Sequence, residues 1–209
     1  MVRHALSGEN EFWSKNKTED RLGALTDEII YEKLFDCHLA EQGVSQARLL
    51  QPLANQFEFP NNVVYSSPLR RTVETLCNAL DSHPQKGELT IVLLPLAREV
   101  LSSFGNVPLL VHDLKRELAE YAVREKGFKA VNFDHLLDDN LWYLRAIQPT
   151  DPALKESFLE RVGQVADGDH VPVIKQLCQD RRDQGAQGED AVCLENYTEV
   201  FLRSVELKK

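Results

Sequence analysis

Two short apolar runs, "NNVVYSSP" and "LTIVLLPL", bracket the stretch "LRRTVETLCNAL", and this order constrains the fold more than anything else in the chain. Each run is rich in β-branched and aliphatic residues and is punctuated by Asn or Pro, as buried strands are. Between them, Leu69, Val73, Leu76 and Leu80 recur at three- and four-residue steps, which puts an apolar stripe on one helix. A third short run, "DAVCL", precedes "ENYTEVFLRSVEL", which reads as a helix capped by Thr198. Alternating strands and helices imply an α/β fold: a three-layer α/β/α sandwich with a largely parallel central sheet. Ligands of such sheets collect at the carboxyl ends of the strands.

The middle of the chain reads as mostly helical. "VPLLVHDLKRELAEYAVREKG" ends on a glycine stop. "DHLLDDNLWYLRAI" is aromatic and acidic, and "DPALKESFLERV" opens with Asp-Pro, a helix start. "DRRDQGAQGED" reads as a charged surface loop. With 209 residues the chain suffices for one substantial core, and a single domain over 1–209 is expected.

A formal net charge of -9 argues against nucleic acid or an anionic membrane surface as the partner. No apolar run approaches the roughly 18 residues of a membrane span, and no secretory pattern opens the chain. Cys37, Cys77, Cys178 and Cys193 lie far apart without a CxxC pair, so reduced thiols and a cytoplasmic location are expected. The six histidines show no ligand spacing, so neither a metal site nor a cofactor is expected.

The opening "MVRHALSGEN" leaves three readings: a frayed tail, a lone solvated histidine, or a strand end aiming two cationic groups at an anion. Any strand ending at Arg3-His4 has little chain to build on, so it is expected to be very short or truncated. Taken in order, "VRHALSGEN", "DCHLAEQGVSQARLL", "VYSSPLRRTVETL" and "LPLARE" resemble the histidine phosphatase superfamily, with its phosphoglycerate mutase-like fold. No one of these pieces is specific; the ordered set carries the resemblance, from residue 2 to about 105.

The resemblance implies a role for each matching residue. His4 would take the phosphoryl group as nucleophile, and Arg3 would cradle it, with Ala5 where the family usually has glycine. Asn10 and Arg71 would bind phosphate, and Arg70 fills a variable position. Gly43 and Gln46 would start a helix behind the site, and Glu99 would serve as proton donor. Residues of about 105–150 resemble the family's helical cap-like insertion, with Trp142 read as core or as a contact at the mouth of the site.

Those residue types suit the chemistry. A neutral imidazole is a competent nucleophile near pH 7. Phosphoryl transfer asks chiefly for positioning and for charge to meet the oxygens, which the arginine fork supplies. A proton-donating Glu99 is expected to have a raised pKa. Phosphate or a small phosphorylated molecule is the expected partner; oligomeric state is not legible.

The pattern breaks late in the chain. Where the family carries a second histidine between strand and helix, this sequence reads "ENY", which puts Asn196 in the phosphate-binding place beside Glu195. A second alignment puts His170 there, preceded by Asp-Gly-Asp rather than by a strand. Two functions therefore stand. One is a phosphomonoester hydrolase working through phosphohistidine on a small metabolite or a phosphoprotein. The other is an impaired relative that binds a phosphorylated ligand or protein. His38, His83, His112 and His135 are read as structural or solvated.

Overall fold

The computed structural model describes residues 2–18, 20, 23–99, 103–136, 138, 140–145, 152–165 and 168–183. In chain order these form α1 (Gly8–Lys15), α2 (Asp27–Ile29) running into a π-helical turn (Ile30–Leu34), α3 (Glu41–Arg48) and α4 (Gln51–Ala54). Then come β1 (Val63–Ser66), α5 (Arg70–Ala79), β2 (Thr90–Leu93) and α6 (Val111–Ala119), the last with a π-helical extension (Glu120–Glu125). β3 (Ala130–Asn132), α7 (Trp142–Arg145), α8 (Pro152–Gly163) and α9 (Val171–Asp183) complete the described elements.

The three strands form a parallel sheet in the order β1-β2-β3, with Val64 opposite Ile91 and Ile91 opposite Val131. β2 is central, and Ile91, Val92 and Leu93 are all buried, the mark of a strand covered on both faces. The edge strand β1 alternates instead, with Val64 and Ser66 buried and Tyr65 exposed. α5 crosses from β1 to β2; its Val73 and Cys77, with Leu80 at its end, join Leu89 and Ile91 in one core cluster, and Leu69 at its start is buried as well. α6 crosses from β2 to β3 and adds Leu114 and Leu118 to the same core. The fold is α/β, as the strand–helix–strand order predicts.

Three segments differ from the sequence reading. Residues 111–132, expected inside a helical insertion, supply a crossover helix and the third strand of the sheet. β3 is only "AVN", too short for any periodicity to declare it. α9 continues through Asp183 into the expected loop, where Gln176 and Arg161 both donate to the Asp180 carboxylate at 2.7 Å. Among the described residues, no ladder forms at the expected first strand. Residues 2–6 bond to neighbouring loops and side chains, and a lone antiparallel bridge joins Ser7 to Leu39. The strand "DAVCL", the helix after it and Cys193 lie outside the described residues.

Trp142 is core: it is buried and meets Tyr143 edge-on. Cys37, Cys77 and Cys178 are all buried. No described helix is long and apolar enough to cross a membrane. Among the described residues, no cluster of His, Cys, Asp or Glu is arranged to hold a metal ion.

Candidate active site

Arg71 sits in the first turn of α5, just past the carboxyl end of β1, and is 1% exposed. A buried guanidinium must fill its fork with acceptors, because an unpaired buried charge is costly. Here Nη1 donates to the Gly105 carbonyl at 2.6 Å, and Nη2 donates to Asn106 Oδ1 and to Glu99 Oε2, the latter at 3.2 Å. Glu99 follows β2 by way of a 3₁₀ turn (Pro95–Ala97), so both groups stand at the carboxyl end of the sheet. Arg98 Nη1 donates to the Glu99 carbonyl at 2.8 Å and steadies the backbone there.

His4 reaches the same place from the opposite side. Its Nδ1 donates to the Ala5 carbonyl at 2.7 Å, which leaves Nε2 facing Glu99 Oε2 at 2.9 Å. One carboxylate oxygen therefore touches both the imidazole and the guanidinium. Arg3, with a largely exposed side chain, approaches the other oxygen, Nη2 to Oε1 at 3.5 Å. Imidazole and guanidinium are thus brought to one anion-binding point, and the anion standing there is the protein's own carboxylate. The side chains of His4 and Arg71 are only 6% and 2% exposed, whereas that of Glu99 is 36% exposed. Of these three groups, Glu99 is the most exposed to solvent.

This arrangement overturns the expected raised pKa of Glu99. The hydrogen bond from His4 holds the carboxyl down at about 2; burial opposes it and the Arg71 charge reinforces it.

Without a strand ladder, side chains place His4. The Ala5 N–H donates to Thr75 Oγ1 of α5, and the Leu6 N–H donates to Gln46 Oε1 of α3, each at 3.0 Å. The Ala40 N–H donates to the Leu6 carbonyl at 3.0 Å. Gly43 lets α3 come this close, since a Cβ there would lie 2.0 Å from that carbonyl oxygen. Gly43 and Gln46 thus stand directly behind the His4 segment, in a helix that begins at Glu41.

The other expected ligands fare differently. Asn10 is exposed on α1; Ser7 donates to its Oδ1 at 2.5 Å and its N–H donates back to Ser7 Oγ. That is a reciprocal helix cap, and it turns the Asn10 side chain to the N-terminus of α1 rather than to Arg71. Asn196 lies outside the described residues. His170 is buried, and its Nδ1 shares a hydrogen bond with Tyr143 Oη at 3.1 Å while the rings stack. Arg70 ties elements together: Nε donates to the Asp36 carbonyl at 2.6 Å and Nη1 donates to Glu117 at 3.0 Å. His38 pairs with Glu74, a contact that raises its pKa.

Sequence reasoning missed Glu9, Gly105 and Asn106. Glu9 is buried, accepts from Ser103 Oγ at 3.0 Å and packs directly against Gly105. Burial pushes its carboxyl up, against the pull of Ser103 and of the Arg71 charge. An acidic residue in the first turn of a helix reads as a complement to the helix dipole, which disguises it. Gly105 and Asn106, in "SSFGNVP", resemble any loop.

Comparison with protein families finds that the model of the histidine phosphatase superfamily (branch 1) matches residues 17–126. The match spans Arg71 and Glu99 and begins after His4. Neither the curated proteins nor the solved structures gave a match.

Proposed function

The chain belongs to the histidine phosphatase superfamily, and from that premise we propose that it is a phosphomonoester hydrolase that forms a phosphohistidine on His4. The observation that carries this reading is the Glu99 oxygen bonded at once to His4 Nε2 and to Arg71, which marks an oxyanion position between nucleophile and clamp.

Each group has a task that its geometry supports. An incoming phosphate dianion takes Arg71 and Arg3 from Glu99 and repels the carboxylate, which raises that carboxyl's affinity for a proton. The proton shared with His4 then passes to Glu99. One transfer produces both reactants the step needs, a bare Nε2 lone pair and a protonated acid. Nε2 forms a bond to phosphorus as the ester P–O bond breaks, and Glu99 gives its proton to the departing alkoxide. Water next attacks the phosphohistidine, Glu99 accepts its proton, and phosphate and free His4 result. Arg71 and Arg3 meet the charge on the equatorial oxygens throughout.

The test is hydrolysis of an aryl phosphate by the wild type and by His4→Ala, with quenching in alkaline detergent to trap an acid-labile, base-stable phosphoenzyme. Wild-type turnover with none in His4→Ala is expected. Equal background rates for both would overturn the reading. A second reading, a binder of phosphorylated ligands without turnover, is favoured by how fully Glu99 covers His4 and Arg71. Phosphate binding without turnover would select it.

A further inference from the structure

Arg71 meets Gly105 from one side, and Glu9 packs against it on the other. The guanidinium donates to the Gly105 carbonyl at 2.6 Å, and the Glu9 carboxyl lies so close to the Gly105 Cα that a Cβ there would stand 2.0 Å from Glu9 Oε2. Glu9 also accepts from Ser103 Oγ at 3.0 Å, which fixes the entry to the buried 3₁₀ turn (Phe104–Asn106). That turn supplies both the carbonyl and the amide oxygen that hold Arg71. Glu9 is itself anchored, its N–H donating to Cys37 Sγ at 3.4 Å.

From this relay we infer that Glu9 is a positioning residue that fixes the Arg71 guanidinium through Ser103 and the Gly105 peptide. The inference deepens the proposed function, since it rests on Arg71 as the phosphate ligand. α1 thereby joins the site without touching the substrate: its carboxylate orients the turn, and the turn orients the clamp. A clamp held this way has a single orientation of its fork, which bidentate binding of two phosphate oxygens requires. Glutamine at position 9 keeps the oxygen acceptor for Ser103 and the packing on Gly105, whereas alanine removes both.

The test reads Arg71 directly by ¹H–¹⁵N spectroscopy of its guanidinium, alongside calorimetric titration with inorganic phosphate. In Glu9→Ala the Arg71 signals are expected to shift and to exchange with water at least about tenfold faster, and phosphate affinity to fall about tenfold or more. Glu9→Gln should restore both to near wild-type values. Ser103→Ala, which deletes the hydroxyl donor and keeps the packing of Glu9 on Gly105, should give an intermediate change and decides the matter if Glu9→Ala does not fold. Unmoved Arg71 signals in Glu9→Ala or Ser103→Ala would overturn the inference. If the wild type binds no phosphate, the proposed function falls, while the Arg71 signals still judge the relay.

Discussion

Removing the charge of Glu99 is expected to have opposite effects on binding and on turnover. The carboxyl is held at about 2 against an ordinary 4.5, which corresponds to about 3 kcal/mol at face value. Its side chain is 36% exposed, so solvent screening cuts this to about 1–2 kcal/mol. A phosphate must displace that contact before it can reach Arg71. Glu99→Gln should therefore tighten inorganic phosphate by about 5- to 30-fold in calorimetry at pH 7 and low salt. The same change removes the proton donor and acceptor, so kcat on an aryl phosphate should fall about 10²- to 10⁴-fold. A misfolded variant would lose both properties together, and a bystander carboxylate would change neither. Unchanged or weakened phosphate binding in a folded Glu99→Gln protein would refute the reasoning.

The same geometry sets four further expectations. Arg71→Ala leaves Glu99 and the Gly105 carbonyl without their buried cation and should destabilise the fold by about 3–5 kcal/mol in urea titration. Gly43→Ala drives a Cβ against the Leu6 carbonyl and shifts the His4 segment; kcat should fall about 10²-fold, with a smaller proportional change in KM. Glu99, depressed by His4, contributes stability that is fully present above about pH 4.5 and is lost as pH falls toward 2, so Glu99→Gln should flatten the acid limb of a stability profile. Asp36 behaves inversely. Complete burial raises its carboxyl from 3.8 to about 6, so its stabilisation is lost as pH rises through that window, and Asp36→Asn should abolish the decline in denaturant midpoint there.

The scaffold was legible in the sequence where local pattern and tertiary role coincide. "NNVVYSSP" and "LTIVLLPL" become β1 and β2 because a strand buried in a parallel sheet needs nothing beyond apolar length and a turn at its end. The family resemblance implied one site for His4, Arg71 and Glu99, and these side chains do meet, although nothing in the separate stretches fixes a distance between them. Where an element is short the pattern carries no signal, and "AVN" became a strand only because α6 delivers it beside β2. The two π-helical turns break the three- and four-residue rhythm that a helix reading depends on. The charge state of Glu99 was read with the wrong sign, since burial was weighed without the imidazole that bonds it. Glu9 was invisible for a related reason: its role lies in contacts with residues more than ninety positions away.

The family match begins at residue 17, past the proposed nucleophile, and the geometry explains how the two parts nonetheless make one site. A histidine at the end of a central strand is located by the ladder, whatever its neighbours are. His4 has no such ladder among the described residues, so its position is set by Thr75, Gln46 and Gly43, all inside the matched region, and by Glu99 itself. Two consequences follow from that dependence. The imidazole can be only as fixed as α3 and α5 are relative to each other, so helix packing takes over a task that backbone hydrogen bonds would perform in a sheet. And because Glu99 both holds the imidazole and fills the anion position, ground-state order and ligand binding draw on the same carboxylate. Under the proposed function phosphate would displace it, and the charge lost from beside His4 and Arg71 would be replaced by that of the phosphate, so the site would exchange one anion for another without leaving its buried guanidinium uncompensated.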